Sequence, residues 1–310
     1  MAINWYPGHM HKARKEIREA MPQVDLIIEV LDARIPYSSE NPLVPSLRGD
    51  TPCIKILNKA DLADPDMTRR WKETLEKQQG IRAIPMSQHE PQKVRELLKI
   101  CPEMLPHRNF EGTPLRALIL GIPNVGKSTT INNLAGRIIA KTGNEPAVTK
   151  IQQRIKLENN IVLHDTPGFL WPKLEPEECG YRLAVTGAIK NTVLEFDDVG
   201  MFLVEYLMEA HPEVLLKRYN LSEIPHTPIE VFDVIGRRRG AVRKGGLADT
   251  HKVAEILLND YRSGAMGCVT LETPEMVAKE QEALAVLHAE KEAKKREKEE
   301  QRKQRRKTRV

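Results

Sequence analysis

The chain has 310 residues, 40% of them hydrophobic and 29% charged, which is enough for about two globular domains with cores of their own. Its net charge of +5 is concentrated at the C-terminus, because residues 291–310 hold 11 Lys or Arg against 4 Glu and the other 290 residues sum to −2. The sequence has no run of about 20 apolar residues, no signal-peptide core and no metal-ligand or disulfide spacing among its four cysteines, so we expect a cytoplasmic protein with no membrane partner.

The first half of the chain alternates apolar runs with helical patterns, which predicts a mostly parallel α/β sheet with helices on both faces. Buried strands are predicted at 24–32, 52–58, 81–87, 115–121 and 160–165, with an edge strand at 151–157. Helices are predicted at 9–20, 65–79, 90–100 and 127–136, and 101–114 is expected to be a surface connection.

The pattern changes after about residue 175, where helical periodicity continues without a convincing strand. We therefore predict a sheet domain over 1–174, a small all-α domain over 175–275, and a basic helical or disordered tail over 276–310. The tail is either a binding segment for a polyanion such as RNA or a solvated extension, and its charge alone does not decide between them.

The octapeptide Gly121-Ile-Pro-Asn-Val-Gly-Lys-Ser128 matches the phosphate-binding P-loop, and it follows a predicted strand and opens a predicted helix. Backbone N–H groups and the helix N-terminus there can surround phosphate oxygens. Lys127 can reach the β- and γ-phosphates, and the Ser128 hydroxyl can ligate Mg²⁺. The alternative is a glycine-rich turn before a helix. The predicted phosphate-binding residues are Asn124, Val125, Gly126, Lys127, Ser128 and Thr129.

Two further phosphate elements follow the P-loop. Asp165-Thr-Pro-Gly168 comes after an apolar run, so Asp165 can contact Mg²⁺ through water and the Gly168 N–H can bond the γ-phosphate. Thr149 lies between the two elements and is the predicted switch residue that closes on Mg²⁺ and γ-phosphate. A strand-ending turn and an ordinary polar loop are the structural alternatives.

A guanine-binding motif, Asn58-Lys59-Ala60-Asp61, precedes the P-loop instead of following it. The Asp61 carboxylate can accept from N1–H and N2–H of guanine, which adenine does not offer. Lys59 can lie over the base, Asn58 can tie this loop to the P-loop, and Ser87 falls in the companion loop. The rotated order of these motifs, each behind a predicted strand, indicates a circularly permuted GTPase domain.

The sequence resembles the RbgA/YlqF family of circularly permuted ribosome-assembly GTPases. The resemblance is carried by NWYPGHMHKA at the start, LDARIPYSSENP at 31–42, LNKADL, GIPNVGKST and HDTPGFLWP, and by VIGRRRG and ILLNDYRSGAMG near the C-terminus. It covers the chain up to about residue 275. It implies an enzyme that uses GTP, GDP and Mg²⁺, binds the large ribosomal subunit late in assembly and leaves after hydrolysis. DNA is not an expected partner.

Hydrolysis requires a residue that positions the attacking water, and Phe169, directly after the DTPG motif, cannot do so. The resemblance points to His9 as the catalytic residue beside Lys127, Thr149 and Gly168; the alternative is a histidine that packs on Trp5 or Tyr6. Asn124 resembles the asparagine with which related GTPases hold K⁺ near the phosphates.

Basic residues of the helical domain are the predicted RNA contacts, with a solvated helical face as the alternative. They are Arg237, Arg238, Arg239, Arg243, Lys244, Lys252 and Arg262. Three other functions are the alternatives. They are a metabolic P-loop kinase, an RNA-binding scaffold with a vestigial nucleotide site, and a permuted GTPase that acts on the small subunit or another structured RNA. The NKAD motif speaks against the first, and the intact Lys127, Ser128 and Asp165 speak against the second, although only turnover data decide that case.

Overall fold

The structure is a computed structural model that describes residues 8–87, 89–110, 112–140, 153–190 and 195–307. For residues 9, 12–14 and 302–307 the description is limited to the backbone. By its internal contacts the chain divides into two compact units, Met1–Glu272 and Thr273–Val310. The predicted boundary after residue 174 lies inside the first unit. The three-part division therefore stays a prediction.

A six-stranded sheet in the order β3-β2-β1-β4-β6-β5 forms the centre of the first unit. Every neighbouring pair is parallel except β5 with β6, so the prediction of a mostly parallel sheet is confirmed. All residues of β1 and β2 are buried, because helices cover a parallel sheet on both faces. The strands are β1 Leu26–Asp32, β2 Cys53–Asn58, β3 Ile81–Pro85, β4 Leu115–Gly121, β5 Gln153–Lys156 and β6 Ile161–Asp165.

Several helices beside the sheet begin at residues that favour a helix N-terminus. Asp64 caps α4 by accepting from the Met67 N–H at 2.7 Å, and Pro65 occupies the first turn. The helix at 91–103 extends into the segment expected to be a surface connection, and it includes Pro102 in its last turn. These helices are α1 Gly8–Ala20, α2 Pro36–Ser39, α3 Val44–Arg48, α4 Pro65–Glu76, α5 Pro91–Glu103 and α6 Lys127–Ala135.

In the described part of the first unit beyond the sheet, the regular elements are helices, as predicted, and Val242 and Ala248 form an isolated bridge. A capping box of Thr227 and Glu230 starts α10. Gly200 in α8 allows close packing on α11, since a Cβ at this position would lie 2.7 Å from the Ala254 Cβ. These helices are α7 Glu177–Val185, α8 Phe196–Ala210, α9 Pro212–Tyr219, α10 Pro228–Arg239 and α11 Thr250–Arg262.

The second unit contains one long helix, α12, at Pro274–Lys307. Nearly all of its residues between 281 and 301 are exposed, so the helix has no apolar core of its own. No helix within the described ranges is long and apolar enough to cross a lipid bilayer.

Candidate nucleotide-binding site

Four parallel strands end at the same edge of the sheet, and each one ends in a motif residue. Asp32 ends β1, Asn58 ends β2, Gly121 ends β4 and Asp165 ends β6. The carboxyl edge of an open parallel sheet is where such folds bind their ligands. The NKAD loop, the P-loop and the DTPG loop therefore meet there although they are distant in the sequence.

The P-loop connects β4 to α6 through two residues in the left-handed backbone region. Asn124 has φ +57° and Gly126 has φ +95°, and Gly126 is the N-cap of α6. Alternation of right- and left-handed residues before a helix turns successive N–H groups toward one concavity. Ser128 and Thr129 lie in the first turn of α6, so all six predicted phosphate-binding residues belong to this loop or the start of its helix.

The two charged residues of the phosphate end contact each other directly. The buried Lys127 ammonium donates to Oδ1 of the buried Asp165. Burial lowers the pKa of Lys127 and raises the pKa of Asp165, and each effect is opposed by the attraction between the two groups. Both groups are thus held where charge is costly, and a phosphate and a metal ion would supply charges that offset this cost.

The second carboxylate oxygen of Asp165 shows whether the site could hold Mg²⁺. Oδ2 is buried and has no hydrogen-bond partner among the described residues. A buried carboxylate oxygen without a donor is a natural acceptor for a metal-bound water. The Ser128 hydroxyl follows Lys127 on the same helix turn, so the donor set fits a Mg²⁺ ion; Thr149 lies outside the described residues.

The guanine motif is joined to the P-loop by two side chains. The Asn58 amide donates to the Val125 carbonyl at 2.7 Å, and the Lys59 ammonium donates to the Asn124 carbonyl at 2.9 Å. The structure thus contains the contact expected of Asn58. It also places Lys59 at the junction of the two loops.

The guanine-edge residues lie on two adjoining loops. Asp61 is in a short 3-10 turn, with Oδ2 3.8 Å from Nε2 of His89. The Ala60 N–H donates to the Met86 carbonyl at 3.0 Å, so the NKAD loop lies beside the loop of Ser87. Ser87 is buried, and its hydroxyl accepts from the His89 N–H at 3.1 Å.

The DTPG loop packs against the P-loop at close range. A Cβ on Gly168 would lie 3.1 Å from the Pro123 nitrogen, so the two backbones almost touch. The Phe169 N–H donates to the Gly121 carbonyl at 3.3 Å, and its ring is buried. Phe169 is therefore a core residue, and the attacking water must be positioned by another group.

The N-terminal helix α1 contacts the segment after DTPG. Met10 is fully buried, and its sulfur accepts from the Leu170 N–H at 3.3 Å. His9 precedes Met10 in α1, but its side chain lies outside the described residues. The backbone of the predicted catalytic histidine is thus one residue from a contact to the DTPG segment.

Sequence reasoning assigned no role to Asp32 or Arg34, although both belong to the quoted LDARIP stretch. Arg34 donates to both carboxylate oxygens of Asp32, from Nε at 2.9 Å and from Nη2 at 2.8 Å. Lys59 donates to Asp32 Oδ2 at 2.8 Å. Burial acts to raise the pKa of Asp32, but Arg34 and Lys59 outweigh it and hold that pKa well below its usual range. The sequence could have indicated this pair, because an Asp ends a mainly apolar strand and an Arg follows two residues later.

Comparisons with known proteins agree with this geometry. A protein-family model described as 50S ribosome-binding GTPase matches residues 116–235. Ribosome biogenesis GTPase A of Priestia megaterium is 44% identical over 282 residues, which cover 88% of this chain and 98% of that protein. The chain belongs to the ribosome biogenesis GTPase A family.

Family members with lower sequence identity also match over most of their length. Ribosome biogenesis GTPase A of Thermotoga maritima is 32% identical, covering 90% of this chain and 98% of that protein. The crystal structure of GNP-bound YlqF from the same organism has a TM-score of 0.60 and 29% identity, covering 86% of this chain and 99% of that chain. The protein is therefore a circularly permuted P-loop GTPase, an α/β enzyme that hydrolyses GTP and belongs to a ribosome-biogenesis family.

The basic residues predicted to contact RNA differ from one another in their surroundings. Arg237 and Lys244 are exposed, and neither forms an ion pair with another described residue. The Arg238 guanidinium donates to the carbonyls of Tyr219 and Asn220 at the end of α9, the former at 2.9 Å. Arg238 therefore caps a helix, whereas Arg237 presents its charge to solvent.

Four others have acidic or carbonyl partners. Arg239 lies over the Tyr219 ring and 3.6 Å from Asp260. Arg243 and Lys252 both approach Asp249, at 3.4 and 3.8 Å. Arg262 donates to the carbonyls of Ala184 and Val185 at the end of α7, at 2.7 and 2.8 Å. Arg262 thus has a structural role that the charge pattern did not predict.

Proposed function

We propose that this GTPase binds the large ribosomal subunit during late assembly and uses GTP hydrolysis as the switch for maturation and release, in the cytoplasm. The observation that carries the proposal is a contact between the nucleotide site and the helical region. The Asn124 amide of the P-loop donates to the Gly187 carbonyl, just after α7, at 2.8 Å. A change at the phosphates therefore has a short route to the helices that carry the exposed basic residues. The family model's description, 50S ribosome-binding GTPase, supports the large subunit.

At the base, Asp61 accepts from guanine N1–H and N2–H, Lys59 lies over the ring, and Ser87 lines its edge. The short hydrogen bond from Asn58 to Val125 keeps this loop in register with the phosphate site. An adenine nucleotide would leave the Asp61 carboxylate without donors, which is costly in a site built around it.

At the phosphates, the N–H groups of residues 124–129 surround oxygens and the Gly168 N–H bonds the γ-phosphate. Lys127 moves from Asp165 to the β- and γ-phosphates, and Asp165 would then be free to accept from a water bound to a Mg²⁺ ion. Ser128 and Thr149 would hold a Mg²⁺ ion, which would supply positive charge to the phosphate oxygens.

The attacking water is positioned by His9. Burial of Met10 against Leu170 anchors the first turn of α1 beside the DTPG loop, which supports this role. We expect His9→Ala to lose most of the ribosome-stimulated turnover while nucleotide affinity is retained. His11→Ala, on the exposed side of the same helix, is the matched control. Full stimulated turnover in His9→Ala would reject the role.

Asn124 also provides the side-chain oxygen with which a K⁺ ion near the β- and γ-phosphates would be held. Such an ion would add the positive charge that an arginine supplies in other GTPases. Turnover that is equal in K⁺ and Na⁺ would reject this part of the proposal.

The exposed charges of Arg237, Arg243 and Lys244 bind rRNA phosphates, and this affinity must fall steeply with salt. The second candidate function is a permuted GTPase that acts on the small subunit or another structured RNA, because a basic surface does not by itself distinguish RNAs.

The deciding experiment is GTP hydrolysis in K⁺ buffer, alone and with purified large or small subunits, with ATP as the control nucleotide. Slow intrinsic turnover that is raised by the large subunit alone is the expected result. Stimulation by the small subunit would favour the second candidate. Stimulation by neither subunit would overturn the ribosome-coupled mechanism, and equal use of ATP would overturn the assignment of Asp61.

A further inference from the structure

The carboxylate of Asp32 lies where the guanine loop, the P-loop and the helical region meet. We propose that Asp32 is a positioning residue for guanine binding, which holds the Lys59 ammonium in the place that the base requires. The inference rests on the proposed guanine contacts of Lys59 and Asp61. It assigns a nucleotide-site role to a residue that does not itself contact nucleotide.

Two fixed acceptors determine where the Lys59 ammonium lies. Nζ donates to Asp32 Oδ2 at 2.8 Å and to the Asn124 carbonyl at 2.9 Å. A lysine has a long flexible stem, and ordering it when a ligand binds costs affinity. Because Asp32 and Asn124 hold the ammonium in advance, the stem is already ordered when guanine arrives.

Asp32 can serve as this anchor because it is itself immobilised. Arg34 donates to both of its oxygens, and the Arg34 backbone N–H also donates to Oδ1, at 3.1 Å. The Asp32 N–H donates to the Ser39 hydroxyl at 3.0 Å. A planar guanidinium on a carboxylate fixes its orientation as well as its charge, which a single lysine contact would not do.

The same anchor reaches the helical region through Arg34. The buried Arg34 guanidinium lies 5.1 Å from the ring centroid of Tyr261 in α11, and the Leu271 N–H donates to the Arg34 carbonyl at 2.8 Å. The ordering of Lys59 therefore depends on contacts made by residues more than 200 positions later in the chain. This explains why an aspartate-arginine pair occupies a strand end that apolar residues could fill at less cost.

A double-mutant cycle distinguishes this role from a merely structural ion pair. The variants are Asp32→Asn, Lys59→Met and the double variant, and the measurement is GDP affinity by titration of a fluorescent GDP analogue. Loss of one charge-assisted hydrogen bond predicts about tenfold weaker GDP binding in Asp32→Asn. The double variant should bind no more weakly than Lys59→Met alone. Additive losses, or an unchanged affinity in Asp32→Asn, would overturn the proposal.

A second readout separates Asp32 from the residue that reads the guanine edge. Inosine diphosphate lacks the 2-amino group that Asp61 accepts from, so its affinity relative to GDP reports on Asp61. Asp32→Asn should weaken both nucleotides by the same factor, because Lys59 lies over the ring and does not contact the amino group. A changed ratio in Asp32→Asn would contradict the proposed role.

Two controls keep the test decisive. Asp32→Asn leaves Arg34 without a full counter-charge, so its folding is checked by urea titration. If it does not fold, Asp32→Glu replaces it in the cycle. Asp32→Glu should weaken GDP binding by less than about tenfold, and it should not weaken GDP binding further when Lys59→Met is already present. ADP binding to the unmutated protein tests the underlying assignment separately. Equal affinity for ADP and GDP would remove guanine reading itself, whereas guanine selectivity with an additive cycle would remove only the role of Asp32.

Discussion

At the scale of single residues, backbone space decides whether the two nucleotide motifs can meet. Gly126 has φ +95°, and a Cβ there would lie 2.2 Å from the Asn58 amide nitrogen, a separation that real Cβ atoms do not show. That amide donates to the Val125 carbonyl at 2.7 Å. Only glycine therefore permits the NKAD loop to contact the P-loop at this point.

Gly126→Ala should uncouple the two loops and weaken GDP binding by about 10- to 100-fold. This is the cost of losing one hydrogen bond between uncharged groups and leaving its buried partner unsatisfied. Gly245→Ala is the matched control, because Gly245 has φ +101° but an added Cβ there meets nothing within 4 Å. Both variants carry backbone strain of about 1–2 kcal/mol. Gly126→Ala also disturbs the Asn58 hydrogen bond, so its free energy of unfolding should fall further than that of Gly245→Ala. Comparable GDP affinity in the two variants would contradict the steric argument.

At the scale of elements, strands and motifs could be predicted because the sequence determines them locally. β1 and β2 are mainly apolar, with one charged residue inside each, Glu29 and Lys55, and the NKAD, GKS and DTPG motifs mark the ends of β2, β4 and β6. Side-chain partners could not be predicted in the same way. Arg238 and Arg262 share the charge pattern of Arg237, but their carbonyl acceptors at the ends of α9 and α7 come from other segments. The role of Asp32 could not be predicted for the same reason, because its Lys59 partner comes from another segment.

This difference within α10 gives a prediction about neighbouring arginines. Arg238→Ala removes hydrogen bonds to the Tyr219 and Asn220 carbonyls, so the free energy of unfolding should fall by about 1 kcal/mol. Arg237→Ala should leave unfolding within about 0.5 kcal/mol of the unmutated protein. It should instead weaken rRNA binding and reduce the salt slope of log K by about 1. Urea titration and RNA binding at several salt concentrations measure both, and reversed behaviour of the two variants would refute the assignment.

At the scale of the whole first unit, its last residues join segments from its beginning. The Glu272 carboxylate accepts from the Ser38 hydroxyl at 2.6 Å and from the Ser38 N–H at 3.1 Å, with Arg182 3.6 Å away. The Trp71 indole donates to the Glu272 carbonyl at 3.0 Å. Burial raises the pKa of Glu272 to about 7, against the opposing effect of Arg182 and the Ser38 hydrogen bonds.

This raised pKa predicts a stability that depends on pH. Between the ordinary value of 4.5 and about 7 the folded protein binds more protons at Glu272 than the unfolded chain, so stability is lost as pH rises through that window. Glu272→Gln should remove this slope, worth roughly 3 kcal/mol across the window. The exposed Glu223→Gln is the control. Urea unfolding at intervals from pH 4.5 to 7.5 measures the difference, and parallel curves for Glu272→Gln and the unmutated protein would contradict it.

The permuted order also places the phosphate site next to the helical region in sequence and in space. Gly168 backs onto Pro123, Asn124 contacts Gly187, and Arg262 of α11 holds the carbonyls of residues 184 and 185. We expect affinity for the large subunit to differ about tenfold between a GTP analogue and GDP, within the usual range of coupling between sites. Arg262→Gln should bring this ratio toward one, because the α7 end is then no longer held by α11. Lys252→Ala, an exposed change on the same helix, should preserve the ratio. Sedimentation with purified subunits in each nucleotide state measures it, and an unchanged ratio in Arg262→Gln would show that the signal does not pass through α11.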